Sequence, residues 1–339
     1  MQNASLFHWI YWTNGIYSLH KKTKRIQNNH QAFLSINRTT ISVNTIGEYP
    51  QINNCIVVNT YTEDIQKVSK LINRLDAELL LAHALDTPRA FLIAHGDEKM
   101  GTLARWKFHT LVQKRKRGIP LAYLTGHKEF YGLDFLVNKH TLVPRPDTEL
   151  MVEEVMQEIK KSKNQITIID VGTGSGCIPI SILHTIRTSG LSVICKYYAT
   201  DISKKALNIA KQNADKHNVH ITFKHGNLLE PFSPELRTLN SQLIITANLP
   251  YLTQTQFDEE PSIQHEPHSA LVAEHEGLAL YEELLKQIKT YHLKPKTYLE
   301  IDPSQTKKIS NFITDIFPTA KIEIQKDLSG NDRVVKIII

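Results

Sequence analysis

The period of the apolar positions changes along the chain, and the changes divide it. Residues 1–60 hold no sustained period. From Thr62 onward, Ile65, Val68, Leu71, Ile72, Leu75, Leu79 and Ala82 recur every three or four positions. That spacing lines one helix face and predicts an amphipathic helix running to about Asp86. Thr60 and Glu63 have capping-box spacing at its start, with Thr62 as an alternative cap. Thr87-Pro88 reads as the cap and first residue of a short second helix, and a third helix over 102–117 stops at Gly118. Residues 61–118 therefore read as a small helical domain. The stretch 123–143, with turns at Gly126 and Gly132, predicts an extended hairpin, so that 119–146 forms a linker. Pro144 and Pro146 mark a break, and Asp147 is a suitable N-cap for a helix to about Lys161.

Beyond Gln165 strands and helices alternate. Apolar runs predict strands over 166–171, 193–200, 219–224, 242–247 and 297–301. Helical periods fall over 177–187, 203–217, 278–291 and 304–317. Such alternation implies a parallel sheet covered on both faces by helices. The last two strands, 321–325 and 333–339, have no helix between them and are expected to pair antiparallel at one edge. The expected fold class is thus α/β, with a Rossmann-like domain over 147–339.

Charge qualifies this picture. The 339 residues carry a formal +6, but residues 1–60 hold +4 and residues 101–128 hold +7, leaving the rest at −5. The bulk of the protein is mildly acidic, so the total is no argument for nucleic-acid binding. The run Lys114–Arg117 at the end of the third helix is either a solvated, dipole-compatible helix end or a contact surface for an acidic partner. No apolar run of membrane-spanning length occurs. Residues 1–60 put aromatics before their basic run, the reverse of a secretory signal. They read as a poorly ordered extension, although an acid-poor, basic leader also fits mitochondrial targeting. Cys55, Cys177 and Cys195 have no metal spacing and suit a reducing compartment. A cytoplasmic protein is expected, with the mitochondrial matrix as the alternative. No metal and no obligatory nucleic-acid partner are expected, and a monomer is the default.

Three loops carry candidate chemistry. Asp170-Val171-Gly172-Thr173-Gly174-Ser175-Gly176 ends the first strand of the alternating region. Its spacing differs from the dinucleotide fingerprint, and its acid suits a ligand with a positive centre and no phosphate, such as S-adenosylmethionine. The same glycines would also serve a plain tight turn. Asp201, at the end of the second strand, can accept hydrogen bonds from both ribose hydroxyls, or it can merely cap the following helix. Asn248-Leu249-Pro250-Tyr251 follows the fourth strand. The Asn248 side-chain oxygen and the Leu249 backbone carbonyl can each accept one N–H of a planar NH2 group. That orients its nitrogen toward a methyl donor and stabilises developing positive charge. Pro250 stiffens the loop, and Tyr251 can pack flat on the planar group. No base is needed before attack, since the proton can leave afterward.

With these residues in hand the chain resembles a known family. D-x-G-x-G-x-G after strand one with N-L-P-Y after strand four resembles the amino-methyltransferases. More narrowly, the chain resembles the HemK/PrmC protein-(glutamine-N5) methyltransferases. The stretches carrying this are 120–126, 129–132, 142–149, 168–176, 199–201, Glu266-Pro267, Ala270-Leu271 and 330–333, and the likeness covers about 62–339. The run 142–149 (L-V-P-R-P-D-T-E) is its most specific piece.

The resemblance implies a helical domain that docks a peptide chain release factor, followed by a seven-stranded catalytic domain. That domain would methylate the glutamine of the Gly-Gly-Gln loop by direct in-line displacement. It implies an S-adenosylmethionine site at Asp170, Gly172, Thr173, Gly174, Ser175, Gly176, Asp201, Asn227, Leu228 and Asn248. It implies an amide site at Asn248, Leu249, Pro250 and Tyr251, of which Asn248, Pro250 and Tyr251 are the catalytic candidates. Leu249 stands where the family usually has proline, and Asn227 where an aspartate is usual. The N-L-P-Y form also occurs in rRNA adenine dimethyltransferases. A ribosomal-protein glutamine, an RNA adenine, and a non-catalytic S-adenosylmethionine-binding role are therefore the alternatives.

Overall fold

A computed structural model describes residues 59–339 except 163, 164, 192, 194, 233–235 and 237–240. The expectations for the leader, for order in residues 1–58 and for Cys55 lie outside the described residues.

The amphipathic period over 62–86 is real, but it forms two helices. α1 (Tyr61–Val68) opens on the capping box, with Thr60 accepting from the Glu63 N–H and Glu63 accepting in return. It stops because the Ser69 hydroxyl bonds back to the Ile65 carbonyl at 2.7 Å and Asn73 begins a new cap on the Leu75 N–H. α2 (Arg74–Leu85) follows and ends at Asp86 in the left-handed region. α3 (Arg89–Ala94) has Pro88 in the cap position itself, one residue later than expected. α4 (Thr102–Lys116) ends before Gly118, whose φ is +90°. These helices share one apolar core that includes Leu80, Leu81, Phe108 and Val112.

The linker is less extended than its composition suggested. Pro120 starts a short helix, α5 (Leu121–Thr125), closed by Gly126 at φ +81°. The hairpin is confined to β1 (His127–Phe130) and β2 (Leu133–Leu136). Its two-residue turn, Tyr131-Gly132, has both φ positive, the geometry that matches strand twist. Asp147 does not cap the next helix. Pro146–Thr148 is a 3-10 turn, Asp147 pairs with Arg333 at 3.2 Å, and α6 (Glu149–Lys161) begins after it.

The remainder is β3 (Ile166–Val171), α7 (Cys177–Thr188), β4 (Cys195–Asp201), α8 (Lys204–Lys216), β5 (Thr222–His225) and β6 (Gln242–Ala247). After these come α9 (Gln254–Glu259), α10 (Ala279–Thr290), β7 (Lys296–Glu300), α11 (Thr306–Ile316), β8 (Lys321–Lys326) and β9 (Asp332–Ile338). The sheet has seven strands in the order β5-β4-β3-β6-β7-β9-β8. Strands β3 to β7 are parallel, and β8 and β9 are antiparallel as expected. The last strand does not lie at the edge: β9 inserts between β7 and β8. Its run Val334, Val335 and Ile337 is fully buried, which an edge place would not allow.

The interior strand β3, between β4 and β6, is buried along its whole length between two apolar layers. The chain order reverses between β4 and β6 on either side of β3. Doubly wound sheets bind ligands at the C-terminal ends of such neighbouring strands.

Candidate active site

At the C-terminal ends of β3, β4 and β6 lies a cavity of about 350 Å³. Its walls include Gly172, Thr173, Gly174, Ser175, Asp201, Asn227, Leu228, Asn248, Leu249 and Pro250. Gly172 and Asn248, 76 residues apart in the sequence, are thereby brought to one place.

The glycine loop is built by backbone need. Gly172, Gly174 and Gly176 have φ of +72°, +55° and +80°. A Cβ on Gly172 would stand 2.8 Å from Leu249 Cδ2, and one on Gly176 would stand 2.9 Å from Ile180 Cδ1. Gly174 faces open space, so its requirement is φ alone. The first and third glycines thus let the loop close on the asparagine loop and, at Ile180 and Ala210, on α7 and α8, and the second shapes the turn.

Asp201 braces this loop. One carboxylate oxygen accepts the Gly174 N–H at 2.9 Å and the other accepts the Ser203 N–H at 2.7 Å. Ser203, not Asp201, caps α8, through the Ala206 N–H. Burial raises the Asp201 carboxyl, against those two N–H groups, which lower it. Each oxygen keeps a lone pair for a hydroxyl in the cavity. Asn227 donates from Nδ2 to Glu230 at 3.3 Å, which leaves its side-chain oxygen as the acceptor. Leu228 has φ +47°, unusual for leucine, and this places it in the wall.

Asp170 is placed differently. It lies beneath the loop, about 1 % exposed, and does not line the cavity. One oxygen accepts from the Thr246 hydroxyl at 2.7 Å, while Oδ2 has no hydrogen-bond partner among the described residues. Burial pushes this carboxyl up to about 7, Thr246 and Thr173 oppose the rise, and Asp201 adds to it. An unpartnered buried carboxylate oxygen under a glycine cradle, with a second acid beside it, is a set of acceptors short of positive charge. It fits the ammonium and ribose of S-adenosylmethionine.

The asparagine loop is held from behind. Asn248 Nδ2 donates to Thr148 Oγ1 at 3.1 Å, and no hydrogen bond among the described residues engages its side-chain oxygen. The Leu249 N–H donates to the Tyr281 hydroxyl at 3.1 Å, and that hydroxyl also lies 3.2 Å from the Leu249 carbonyl. Its short contact is to the Glu300 carbonyl, so the single phenolic proton goes there first. The Leu249 carbonyl keeps acceptor capacity, although Tyr281 shares it. Tyr251 does not lie on the cavity wall. Its ring turns back, with the hydroxyl 3.3 Å from Glu300 Oε1. The Tyr251 carbonyl accepts from Gln305 at 2.8 Å, and Gly277 passes so close that a Cβ would overlap that carbonyl.

Several participants had no visible signal of their own. Glu300, about 1 % exposed, carries a carboxyl that burial raises to about 7 in spite of Thr148 and Arg333. Glu266 accepts from the Val143 N–H at 2.9 Å and pairs with Arg145, fixing the segment 142–149 against the loop after β6. Arg145 and Glu266 lie in the stretches 142–149 and Glu266-Pro267, which flagged the segments without assigning the bonds, whereas Glu300 lies in none of the stretches that carry the resemblance. Among the described residues no group of His, Cys, Asp and Glu could hold a metal ion. No helix among them is long and apolar enough to cross a membrane.

Fold and cavity together define a Rossmann-like S-adenosylmethionine-dependent methyltransferase, and residues 162–296 match the methyltransferase-domain family. Residues 62–126 match the PrmC N-terminal domain. A release factor glutamine methyltransferase of Bacillus anthracis is 31 % identical over 263 residues, 76 % of this chain and 90 % of that protein. One of Enterococcus faecalis is 37 % identical over 246 residues, 71 % and 84 % respectively. A bifunctional methyltransferase of Rickettsia typhi is 34 % identical over 83 % of this chain, which spans 56 % of that longer protein. The chain belongs to the release factor glutamine methyltransferase family.

Proposed function

We propose that this enzyme methylates the side-chain amide nitrogen of a glutamine in a peptide chain release factor, the one in its Gly-Gly-Gln loop. The observation that carries the reading is the state of Asn248. Its Nδ2 is held by Thr148, and its oxygen is the uncommitted acceptor of a cavity-lining residue. An acceptor of that kind recognises an N–H of a primary amide and stabilises positive charge as it develops on that nitrogen. The Leu249 carbonyl takes the second N–H, and Pro250 limits the loop's freedom. Tyr251 acts from behind by fixing the loop through its hydroxyl's bond to Glu300.

Bound S-adenosylmethionine supplies the electrophilic methyl group. Asp201 holds the ribose, Asn227 and Leu228 border the adenine, the Gly172–Gly176 loop cradles the amino-acid end, and Asp170 beneath the loop adds negative charge that favours its ammonium. Residues 61–118 dock the release factor, 119–146 link, and 147–339 perform transfer in a cytoplasmic monomer. On the docking side, Arg115 is tied to Asp76 at 2.6 Å, while Lys114, Lys116 and Arg117 are exposed. Only part of that basic run is therefore available to a partner.

The test uses purified protein, labelled S-adenosylmethionine and three acceptors: release factor, ribosomal protein and rRNA. Label on the release factor, lost when its Gly-Gly-Gln glutamine is changed, is the expected result. Label confined to RNA or to a ribosomal protein overturns the reading.

A further inference from the structure

Gln305 ends the 3-10 turn Pro303–Gln305 between β7 and α11, and it is buried. Its side-chain amide bonds three segments of backbone. Nε2 donates to the Tyr251 carbonyl at 2.8 Å and to the Glu276 carbonyl at 2.9 Å, and Oε1 accepts the Asp302 N–H at 3.1 Å. Both Nε2 hydrogens are thereby committed to carbonyls. A glutamate carboxylate of the same shape lacks those donors, and methionine lacks all three bonds.

The Glu276 carbonyl reaches Gln305 through an unusual backbone. His275, Glu276 and Gly277 have φ of +51°, +56° and +84°, a left-handed run. That conformation brings Cβ toward the following carbonyl, so residues with side chains resist it. Such a turn persists where surrounding bonds over-determine it, and turns of this kind cluster at functional sites. This one lies against the asparagine loop, where Gly277 passes the Tyr251 carbonyl with no room for a Cβ. One residue further on, Leu252 pairs with the segment leading into the turn. Its N–H donates to the Leu271 carbonyl at 2.9 Å, and its carbonyl accepts the Ala273 N–H at 3.0 Å. Pro267, Ser269 and Ala270 of that segment line the cavity.

The Tyr251 carbonyl follows the Leu249 carbonyl with Pro250 between them. The proline ring fixes its own φ, so few backbone torsions separate the two carbonyls. The other side of Leu249 is held as well, by its N–H on the buried Tyr281 hydroxyl at 3.1 Å. We infer that Gln305 is a positioning residue for methyl transfer. It clamps the Tyr251 carbonyl to the left-handed turn and so fixes the Leu249 carbonyl where the acceptor's NH2 group meets it. This rests on the reading that Asn248 and Leu249 accept from that group, and it adds the residue that holds the pair at one spacing. Gln305 does not line the cavity, so its effect passes through the backbone.

The test compares wild type with two variants. Gln305→Met keeps the length and removes the bonds, and Gln305→Glu keeps the Asp302 bond but sets an acceptor against two carbonyls. Titration with S-adenosylmethionine counts folded sites, and turnover is expressed per site. The acceptor is whichever macromolecule the wild type labels, so a wrong acceptor assignment shows in the wild type and the ratio still reads Gln305. The expected result is a fall of about 10- to 100-fold in kcat per site for both variants, with acceptor KM and the Kd for S-adenosylmethionine within about threefold. A purely structural role would lower the number of sites and leave kcat per site as in wild type. A kcat per site within about twofold of wild type in either variant overturns the inference. A second measurement needs no acceptor. Protein carrying 13C at tyrosine carbonyls and 15N in leucine reports the Tyr-Leu pairs 123–124, 251–252 and 298–299, and Leu252→Met identifies the middle one by its loss. The Tyr251 carbonyl shift is expected to move in Gln305→Met while the other two stay. An unmoved Tyr251 resonance also overturns the inference.

Discussion

Asn213 and Leu136 exchange two hydrogen bonds although 77 residues separate them: the Leu136 N–H donates to Asn213 Oδ1 at 2.7 Å, and Asn213 Nδ2 donates to the Leu136 carbonyl at 3.0 Å. The same Nδ2 reaches the Ser175 carbonyl in the glycine loop at 2.9 Å. A fully buried side-chain amide on α8 therefore serves as the pairing partner of a strand end and as a strut for the cofactor loop. Asn213→Ala leaves three backbone groups without this partner, the buried Ser175 carbonyl and the part-buried Leu136 N–H and carbonyl. We expect a loss of about 2–4 kcal/mol, read as a lower urea midpoint with unchanged slope. A midpoint within error of wild type would remove Asn213 from this role.

Binding and transfer separate along the two loops. Asn248→Ala should lower kcat by roughly 100-fold or more while the Kd for S-adenosylmethionine stays within about threefold. Asp201→Asn, which keeps one backbone N–H acceptor, should weaken S-adenosylmethionine binding roughly 10-fold, by loss of charge-assisted bonds. Calorimetric titration and single-turnover labelling check the pair. Near-normal turnover of the Asn248 variant contradicts the orienting role.

Glu300 makes stability depend on pH in a known direction. Its ordinary value is 4.5 and burial raises it to about 7 in the fold. Between those values the folded state holds a proton that the unfolded chain has lost. Stability from this group is thus fully present below about 4.5, falls as pH rises, and is gone above about 7. The term amounts to about 3 kcal/mol at most. Glu300→Gln lacks it, so the stability of wild type relative to the glutamine variant should fall between pH 5 and pH 8. Urea unfolding across that range measures the difference, and a flat or rising difference refutes it.

Gly172 faces Leu249 across the cavity floor, with a positive φ and no room for a Cβ. Gly172→Ala should cost about 1–3 kcal/mol and weaken cofactor binding. The clash, unlike the φ strain, vanishes in the double variant with Leu249→Ala. A double-mutant cycle should return a coupling of about 1 kcal/mol, and purely additive effects would locate the cost in φ alone.

Periodicity and turn chemistry are local, and they made the sheet legible. The strands over 166–171 and 242–247, the capping box at Thr60 and the antiparallel last pair stand as the pattern indicates. The glycine loop, Asp201 and Asn248 were legible because each follows a strand at the ligand-binding end of a parallel sheet. The break of the first helix at Ser69 was less legible, because the apolar period runs straight through it. It depends on a hydroxyl bond and a new cap within one turn.

The sequence by itself determined the class of fold, the three loops and the chemistry they can perform, since residue type and spacing suffice for these. Tertiary structure alone decided where β9 inserts and that Asp170 lies under the loop. It also decided that Tyr251 turns toward Glu300 and that Thr148 accepts from Asn248. Each of these is a choice of partner for a buried polar or apolar group. Such a choice is made by strand order and loop path across 49 to 100 residues, as from Tyr251 to Glu300 and from Thr148 to Asn248, a distance over which local pattern carries no information.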